Sequence, residues 1–404
     1  MPGVAFVYAF PTRAEEFFPD VLLSLCSSDC RRAGVDSRVF KLYYDPDDEA
    51  ANHSLARRTV DRLVEGDRRV VVFERLWDAD LIADLRRRAP WPVHVILASE
   101  SDCAPMPGVD VVVRKNHRRA VAALVAAALR GELPREAPLA DVSADDDELA
   151  PYEPDLDHEI VNEGLALPER RKVVLGNAGC AYAHDAGRNP LFDGIDLAHP
   201  DMARQGCTFC PMGGDHVHRD AAASAERVLH QVRYLTDRLP DIEEIQIYDQ
   251  HPLPYLEALV RRSAQTGVRR LSYLFMDRAD WVLRGREQLV RALRACRETG
   301  FRLVNYLIGF ESFAPHDLAV YNKGVTPEEN LDALRFLRAL ESEWPDAFSF
   351  SRYATHGFIL FHPWSELGDL DANFQVMRQK LREAKAKSIP ACGRWRRPCC
   401  RSGA

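Results

Sequence analysis

Short runs of β-branched residues alternate with amphipathic stretches twice along this chain, in two blocks separated by a proline- and acid-rich interval. A helix that returns the chain from one strand to the next leaves the two strands parallel. The alternation therefore predicts an α/β architecture and excludes helical bundles and β-sandwiches. In the first block VAFVYAF (4–10), SRVFKLYY (37–44), RRVVVFER (68–75), VHVILAS (93–99) and VDVVV (109–113) read as strands. Helices fall at 19–34, closed by Gly34, and at 55–66, 78–89 and 118–131. Residues 1–131 are expected to form a doubly wound parallel sheet, whose ligands bind at the carboxyl ends of the strands where strand order reverses.

Residues 132–170 change character: proline recurs and acids cluster from Asp145 to Glu148, as in a linker carrying at most a short helix. The second block, 171–387, has strands at 172–176, 242–249, 271–277, 302–310 and 356–361, with helices at 221–239, 254–267, 286–300, 327–342 and 366–387. Five successive strand–helix units suggest a barrel. A full eight-fold barrel takes about 250 residues, so a partial (β/α) barrel is expected. Residues 388–404 form a basic, cysteine-rich tail, expected to be a truncated or frame-shifted remnant, with an auxiliary-cluster segment as the alternative.

Composition narrows the class. A chain of 404 residues suggests two or three domains at about 150 residues each, large enough to fold without covalent staples, so its ten cysteines are not needed as a disulfide framework. The N-terminus MPGVAFVYAFPTRAEE lacks a secretory pattern, which points to a reducing, cytoplasmic setting. No apolar run approaches the roughly 18 residues of a membrane span. A balance of 53 basic against 61 acidic residues argues against a nucleic-acid footprint.

Five of the cysteines are grouped: Cys392, Cys399 and Cys400 lie in the tail, and Cys207-Thr-Phe-Cys210 forms a tight pair. With Cys180, that pair makes three thiols in a Gly- and Asn-bounded loop region, able to hold an iron–sulfur cluster with one open iron. The rival is a structural zinc loop completed by a histidine such as His184, His216 or His218. Cys26, Cys30 and Cys296 fall on apolar helix faces and are expected in cores; Cys103 lies in a loop.

Four segments in order resemble the radical S-adenosylmethionine superfamily over about residues 171–377. They are Gly206-Cys-Thr-Phe-Cys210, Met276-Asp-Arg-Ala-Asp280, Leu307-Ile-Gly-Phe-Glu-Ser312 with Tyr321-Asn-Lys-Gly-Val-Thr326, and His356-Gly-Phe-Ile-Leu-Phe-His-Pro363. The resemblance implies a 4Fe-4S cluster on Cys180, Cys207 and Cys210, with Phe209 beside the adenine of S-adenosylmethionine. It implies Arg278 for the cofactor carboxylate, Glu311 and Ser312 for ribose hydroxyls or substrate, and Asp249 for the methionine amino group, the last in place of the family's Gly-Gly-Glu. Ala203 stands where the family commonly has its first cysteine, so Cys180 is the nearest upstream substitute. The chemistry implied is reductive cleavage of S-adenosylmethionine to a 5′-deoxyadenosyl radical, or cobalamin-assisted methyl transfer. Its partners would be a small-molecule or peptide substrate and an electron donor such as flavodoxin or ferredoxin.

The first block resembles the cobalamin-binding domain that precedes many members of this superfamily. It lacks the Asp-x-His-x-x-Gly motif: its histidines are His53, His94 and His117. Cobalamin binding without a histidine ligand stays open. The alternative function is a non-catalytic protein stabilised by zinc or a cluster, a truncated descendant of such an enzyme. No single residue identifies itself as the catalytic hydrogen donor or acceptor.

Overall fold

The computed structural model describes residues 2–11, 21–78, 80–99, 107–114, 118–133, 152–162, 170–177, 179–195, 205–210, 220–353, 356–359 and 361–386. The chain is α/β with two parallel sheets. The first contains β1 (Gly3–Pro11), β2 (Ser37–Tyr44), β3 (Arg68–Phe73), β4 (His94–Ser99), β5 (Val111–Arg114) and β6 (His158–Ile160), in the order β5-β4-β3-β1-β2-β6. Every pairing is parallel. The order reverses at β1, where the chain moves from β2 on one side to β3 on the other, placing a crevice at the carboxyl ends of β1 and β3.

Both faces of this sheet are covered. Val4, Phe6, Tyr8 and Phe10 of β1 pack with Leu23, Cys26 and Cys30 of α1 (Val21–Arg32) and Val121 and Leu124 of α4 (Arg118–Leu129). The alternate residues Ala5, Val7 and Ala9 pack with Leu55, Val60 and Leu63 of α2 (Glu49–Glu65) and Leu81 and Leu85 of α3 (Leu81–Arg88). Burial on both sides explains why these strands read as continuous apolar runs. Cys26 and Cys30 are core residues as expected, and burial, followed by the charge of Asp29, pushes the Cys30 thiol up to about 12.

β6 lies inside the stretch expected to be linker. Residues 158–160 pair with Val39–Lys41 of β2, and Asn162 bonds both the amide and the carbonyl of Tyr43. The residues just before β6 bridge the two units. Buried Asp155 accepts from Ser27 Oγ at 2.7 Å and pairs with Arg31, while Tyr152 meets Tyr234 edge-on and donates to the Val173 carbonyl. A three-residue edge strand containing His and Glu carries no periodic signal, which is why sequence pattern passes over it.

The second sheet runs β7 (Arg171–Val174), β8 (Glu244–Ile247), β9 (Ser272–Asp277), β10 (Arg302–Glu311) and β11 (Phe348–Ser349) in sequential parallel order, and β12 (Gly357–Phe358) joins β10 beyond β11. Its helices are α5 (Ala221–Arg238), α6 (Leu256–Gln265), α7 (Ala279–Arg284), α8 (Arg286–Thr299), α9 (Pro315–Val320), α10 (Pro327–Glu343) and α11 (Leu367–Ala386). Tyr273 and Phe275 of β9 face the helix-covered core with Cys296, whereas Leu274 and Met276 face a smaller cluster with Val304 and Tyr306. The expected strand at 356–361 shortens to two residues, because β12 meets β10 only at Gly309 and Glu311 across a register shift. The short elements β11, α7 and α9 carry too few residues to show a period. Among the described residues no helix is long and apolar enough to cross a membrane. Cys103 and the tail lie outside the described residues.

Glu341 at the end of α10 fixes the turn after β11: its Oε1 accepts the amides of Phe350 and Ser351 and the hydroxyls of Ser349 and Ser351. Burial raises this carboxyl, but these hydrogen bonds outweigh burial and hold it below its ordinary 4.5. A folded-state value below the unfolded one stabilises above pH 4.5 and is lost as pH falls through the folded value. Glu341→Gln should cost about 1 kcal/mol at pH 7, and the gap between urea melts of variant and wild type should begin to narrow below pH 4.5 and close once the pH has fallen past the folded value.

Candidate functional site

The cysteine loops dock on the end of α9. A short helix leaves its last carbonyls without intrahelical partners, and these are taken by donors from both loops. Asn189 Nδ2 donates to the Ala319 carbonyl at 2.7 Å, Thr208 Oγ1 to Val320 at 2.9 Å, the Thr208 amide to Tyr321 at 3.0 Å and Tyr182 Oη to Asn322 at 2.8 Å. Asn322 returns the contact: Nδ2 donates to the carbonyls of His184 and Gly206. Its φ of 49° lies in the left-handed region that asparagine tolerates better than most residues. Gly324, at φ 67°, is required on two counts, since a Cβ there would overlap Tyr182 Oη.

This docking places Cys180 within electrostatic reach of Cys207, which lies beside the carboxyl end of β9. Arg278, the residue after β9, places Nη1 3.6 Å from Cys207 Sγ and its guanidinium 3.8 Å from the Tyr182 ring centre. Burial raises the Cys180 thiol and the charge of Cys207 adds to it, while the Tyr182 amide, Arg278 and Lys323 pull it down. Cys207 is buried; Cys180 and Cys210 are half-buried. Phe209, between the paired cysteines, is 44% exposed, with Tyr321 edge-on at 5.5 Å and Lys323 Nζ 5.8 Å from its centre.

Among the described residues the three thiols do not gather as the ligands of one metal ion would. A tetrahedral zinc with Zn–S of about 2.3 Å gathers its sulfurs within about 4 Å of one another. Among the described residues only His316, Asp317 and Asp369 bring three such ligand atoms within 4.8 Å. Neither the three cysteines nor any set including His184 does so, and His216 and His218 lie outside the described residues. Sulfurs on separate irons of one cluster stand farther apart. His316, Asp317 and Asp369 are held within a hydrogen-bonded network: Asp317 accepts from Ser312, Ser365, His362 and Asn373, and His316 bonds Asp369.

The remaining expected residues separate into two groups. Asp249 is 1% exposed and saturated, accepting the amides of Gly176 and Asn177, Asn177 Nδ2 and, at 2.6 Å, Tyr255 Oη. It clamps the end of β8 to the turn leading from β7 toward Cys180. Ser312 is fully buried, and its hydroxyl is engaged by Asp317 and Asn373. Arg278 is 6% exposed, with two aromatic rings beside its guanidinium and three nitrogens engaged.

Glu311 differs from these. It has a φ of 60° and pairs with buried Lys323 at 3.1 Å, the one hydrogen bond of Lys323 Nζ among the described residues. Gly309 and Gly357 make room for this pair: a Cβ on Gly309 would strike Glu311 Oε1 and Lys323 Nζ. The structure thus adds Lys323, Tyr182 and Asn322 to the site. The sequence signal of Asn322 and Lys323 was the Tyr-Asn-Lys-Gly turn, without an indication of which of its residues mattered, and Tyr182 stood only as a neighbour of Cys180.

In the first unit, His53 is exposed on α2 and bonded to Asp78, His94 opens β4 at its amino end, and His117 lies outside the described residues. His158, brought into the first sheet by β6, bonds Ser24 Oγ and the Asp155 carbonyl.

No family model and no curated protein matches the chain. Among solved structures, OxsB, a cobalamin-dependent S-adenosylmethionine radical enzyme, with aqua-cobalamin bound, superposes with a TM-score of 0.55 at 15% identity over 93% of this chain. The chain shares the OxsB fold. The apo form of OxsB gives a TM-score of 0.57, again at 15% identity and 93% coverage. The match takes in 52% and 51% of the two OxsB chains, so this chain spans about half their length.

Asp249→Asn would turn an amide NH2 toward a cage of four donors. It should cost about 2–3 kcal/mol by urea denaturation, because the turn at Gly176 and Asn177 loses its anchor.

Proposed function

We propose that this chain is a radical S-adenosylmethionine enzyme whose second unit is a partial (β/α) barrel of the type used by that superfamily, with Cys180, Cys207 and Cys210 holding a 4Fe-4S cluster. The observation that carries the reading is the convergence of Cys180 and Cys207 on Arg278 at the carboxyl end of β9, the end where barrel enzymes place their chemistry. Kinship of fold with OxsB supports it. When bound, a reduced cluster supplies one electron to the sulfonium of S-adenosylmethionine.

The chain's own residues do the holding. Phe209 offers an exposed apolar face to the adenine. Asp249 and Ser312 are consumed by the fold, so the polar methionine end falls to Glu311 and Lys323: a carboxylate for the ammonium and spare ammonium donors for the carboxylate. The substrate would be a small molecule or peptide, the electron donor a flavodoxin or ferredoxin, and the setting the reducing cytoplasm. Cobalamin-assisted methyl transfer is the other form of this reading, supported by the fold shared with OxsB, whose structure holds aqua-cobalamin.

Anaerobic reconstitution should give a brown protein that forms 5′-deoxyadenosine from S-adenosylmethionine under reductant; a colourless protein retaining only zinc overturns the proposal. Cys180→Ala should lose the cluster, and unchanged iron content would remove Cys180 from it. Lys323→Met should keep the iron and weaken S-adenosylmethionine binding about tenfold, as expected for loss of a charge-assisted contact, measured by equilibrium dialysis.

A further inference from the structure

Arg278 matches the family position at which an arginine reaches the cofactor carboxylate, yet its surroundings fit another task. The guanidinium is boxed in: Nε donates to Asp280 at 3.0 Å, Nη2 to the Lys323 carbonyl at 2.5 Å and Nη1 points to Cys207 Sγ at 3.6 Å. Tyr182 lies 3.8 Å and Trp281 5.3 Å from it, and the residue's own amide is tied to Asp277. Two aromatic rings and three hydrogen-bonding contacts fix a planar cation that is 6% exposed. Reaching a separate ligand would break several of these contacts. Its charge is already partly balanced by Asp280, 3% exposed, which also pairs with Arg284 at 3.2 Å.

We infer that Arg278 is a positioning residue for the Cys207 thiolate and, through it, sets how readily the cluster accepts its electron. The inference rests on the proposed cluster but not on turnover. Adding one electron increases the negative charge on the cluster and its sulfurs. A cation held against one of those sulfurs, out of water, stabilises the reduced form more than the oxidised form, and hydrogen bonding and net charge at the sulfurs are established levers on cluster potential. Asp280 acts in the opposite sense by offsetting the cation. The electron comes from the external donor, replaced in the test by a chemical reductant with mediators.

The test uses the full-length reconstituted protein without S-adenosylmethionine, reading the reduced cluster by electron paramagnetic resonance across a redox titration. Arg278→Gln should retain iron and shift the midpoint to more negative potential, seen as about a tenfold smaller ratio of reduced to oxidised cluster at a fixed ambient potential. Arg278→Lys, which keeps the charge but not the planar stack, should fall between it and wild type. Asp280→Asn leaves Arg278 in place and should move the midpoint the other way, so the inference does not hang on the arginine variants loading a cluster. Unchanged midpoints in Arg278→Gln and Asp280→Asn overturn it. So does an unchanged midpoint in Arg278→Gln with S-adenosylmethionine binding weakened tenfold or so, which would return Arg278 to the cofactor carboxylate. Absence of a four-iron signal from wild type overturns the proposed function itself.

Discussion

The site depends on the unsatisfied carbonyls at the end of α9. Four consecutive carbonyls, Ala319 to Asn322, accept side-chain or backbone donors from two loops that are distant in sequence, and the Asn322 side chain closes the arrangement from the other direction. None of these bonds is strong in net terms, at about 1 kcal/mol each, but they are cooperative in purpose. Losing one loosens a loop that carries a cysteine, and at Val320, Tyr321 or Asn322 it also strips the carbonyl of that donor. The thiols are placed by backbone groups of a short helix more than by their own surroundings.

That dependence explains a division among the polar residues. Those that hold the scaffold, Asp249, Ser312 and Arg278, have their hydrogen bonds filled inside the protein. Glu311 and Lys323 pair with each other and keep donor and acceptor capacity unspent, at the price of a strained Glu311 backbone and two glycines beside it. Unspent capacity in a buried ion pair marks a place where a charged group can enter without displacing the fold.

Much of the architecture was legible in sequence because strands buried on both faces have to be continuously apolar, as β1, β3 and β4 are, and because helix faces repeat. β6, β11 and β12 were missed or overdrawn, since two or three residues become a strand only through the neighbour they pair with. The cysteines, Phe209 and Arg278 could be singled out by spacing and order. Saturation could not: whether a carboxylate such as Asp249 is available depends on donors from Gly176, Asn177 and Tyr255, the first two more than seventy positions away in the chain. For the same reason Lys323 and Asn322 were visible as letters in a turn and not as a counter-charge and a tie.

β6 has a consequence for the order in which the protein is built. The first sheet looks complete after five strands, yet among the described residues its outer edge beyond β2 is covered by 158–162, and the stretch just ahead of them is docked on α1 and on Tyr234 of α5. During synthesis the β2 edge therefore stays open until the chain has passed the acidic interval, and the residues that finally close it also seat the next unit. Covering of the β2 edge and contact with the next unit are thus carried by one short stretch of chain, residues 152–162.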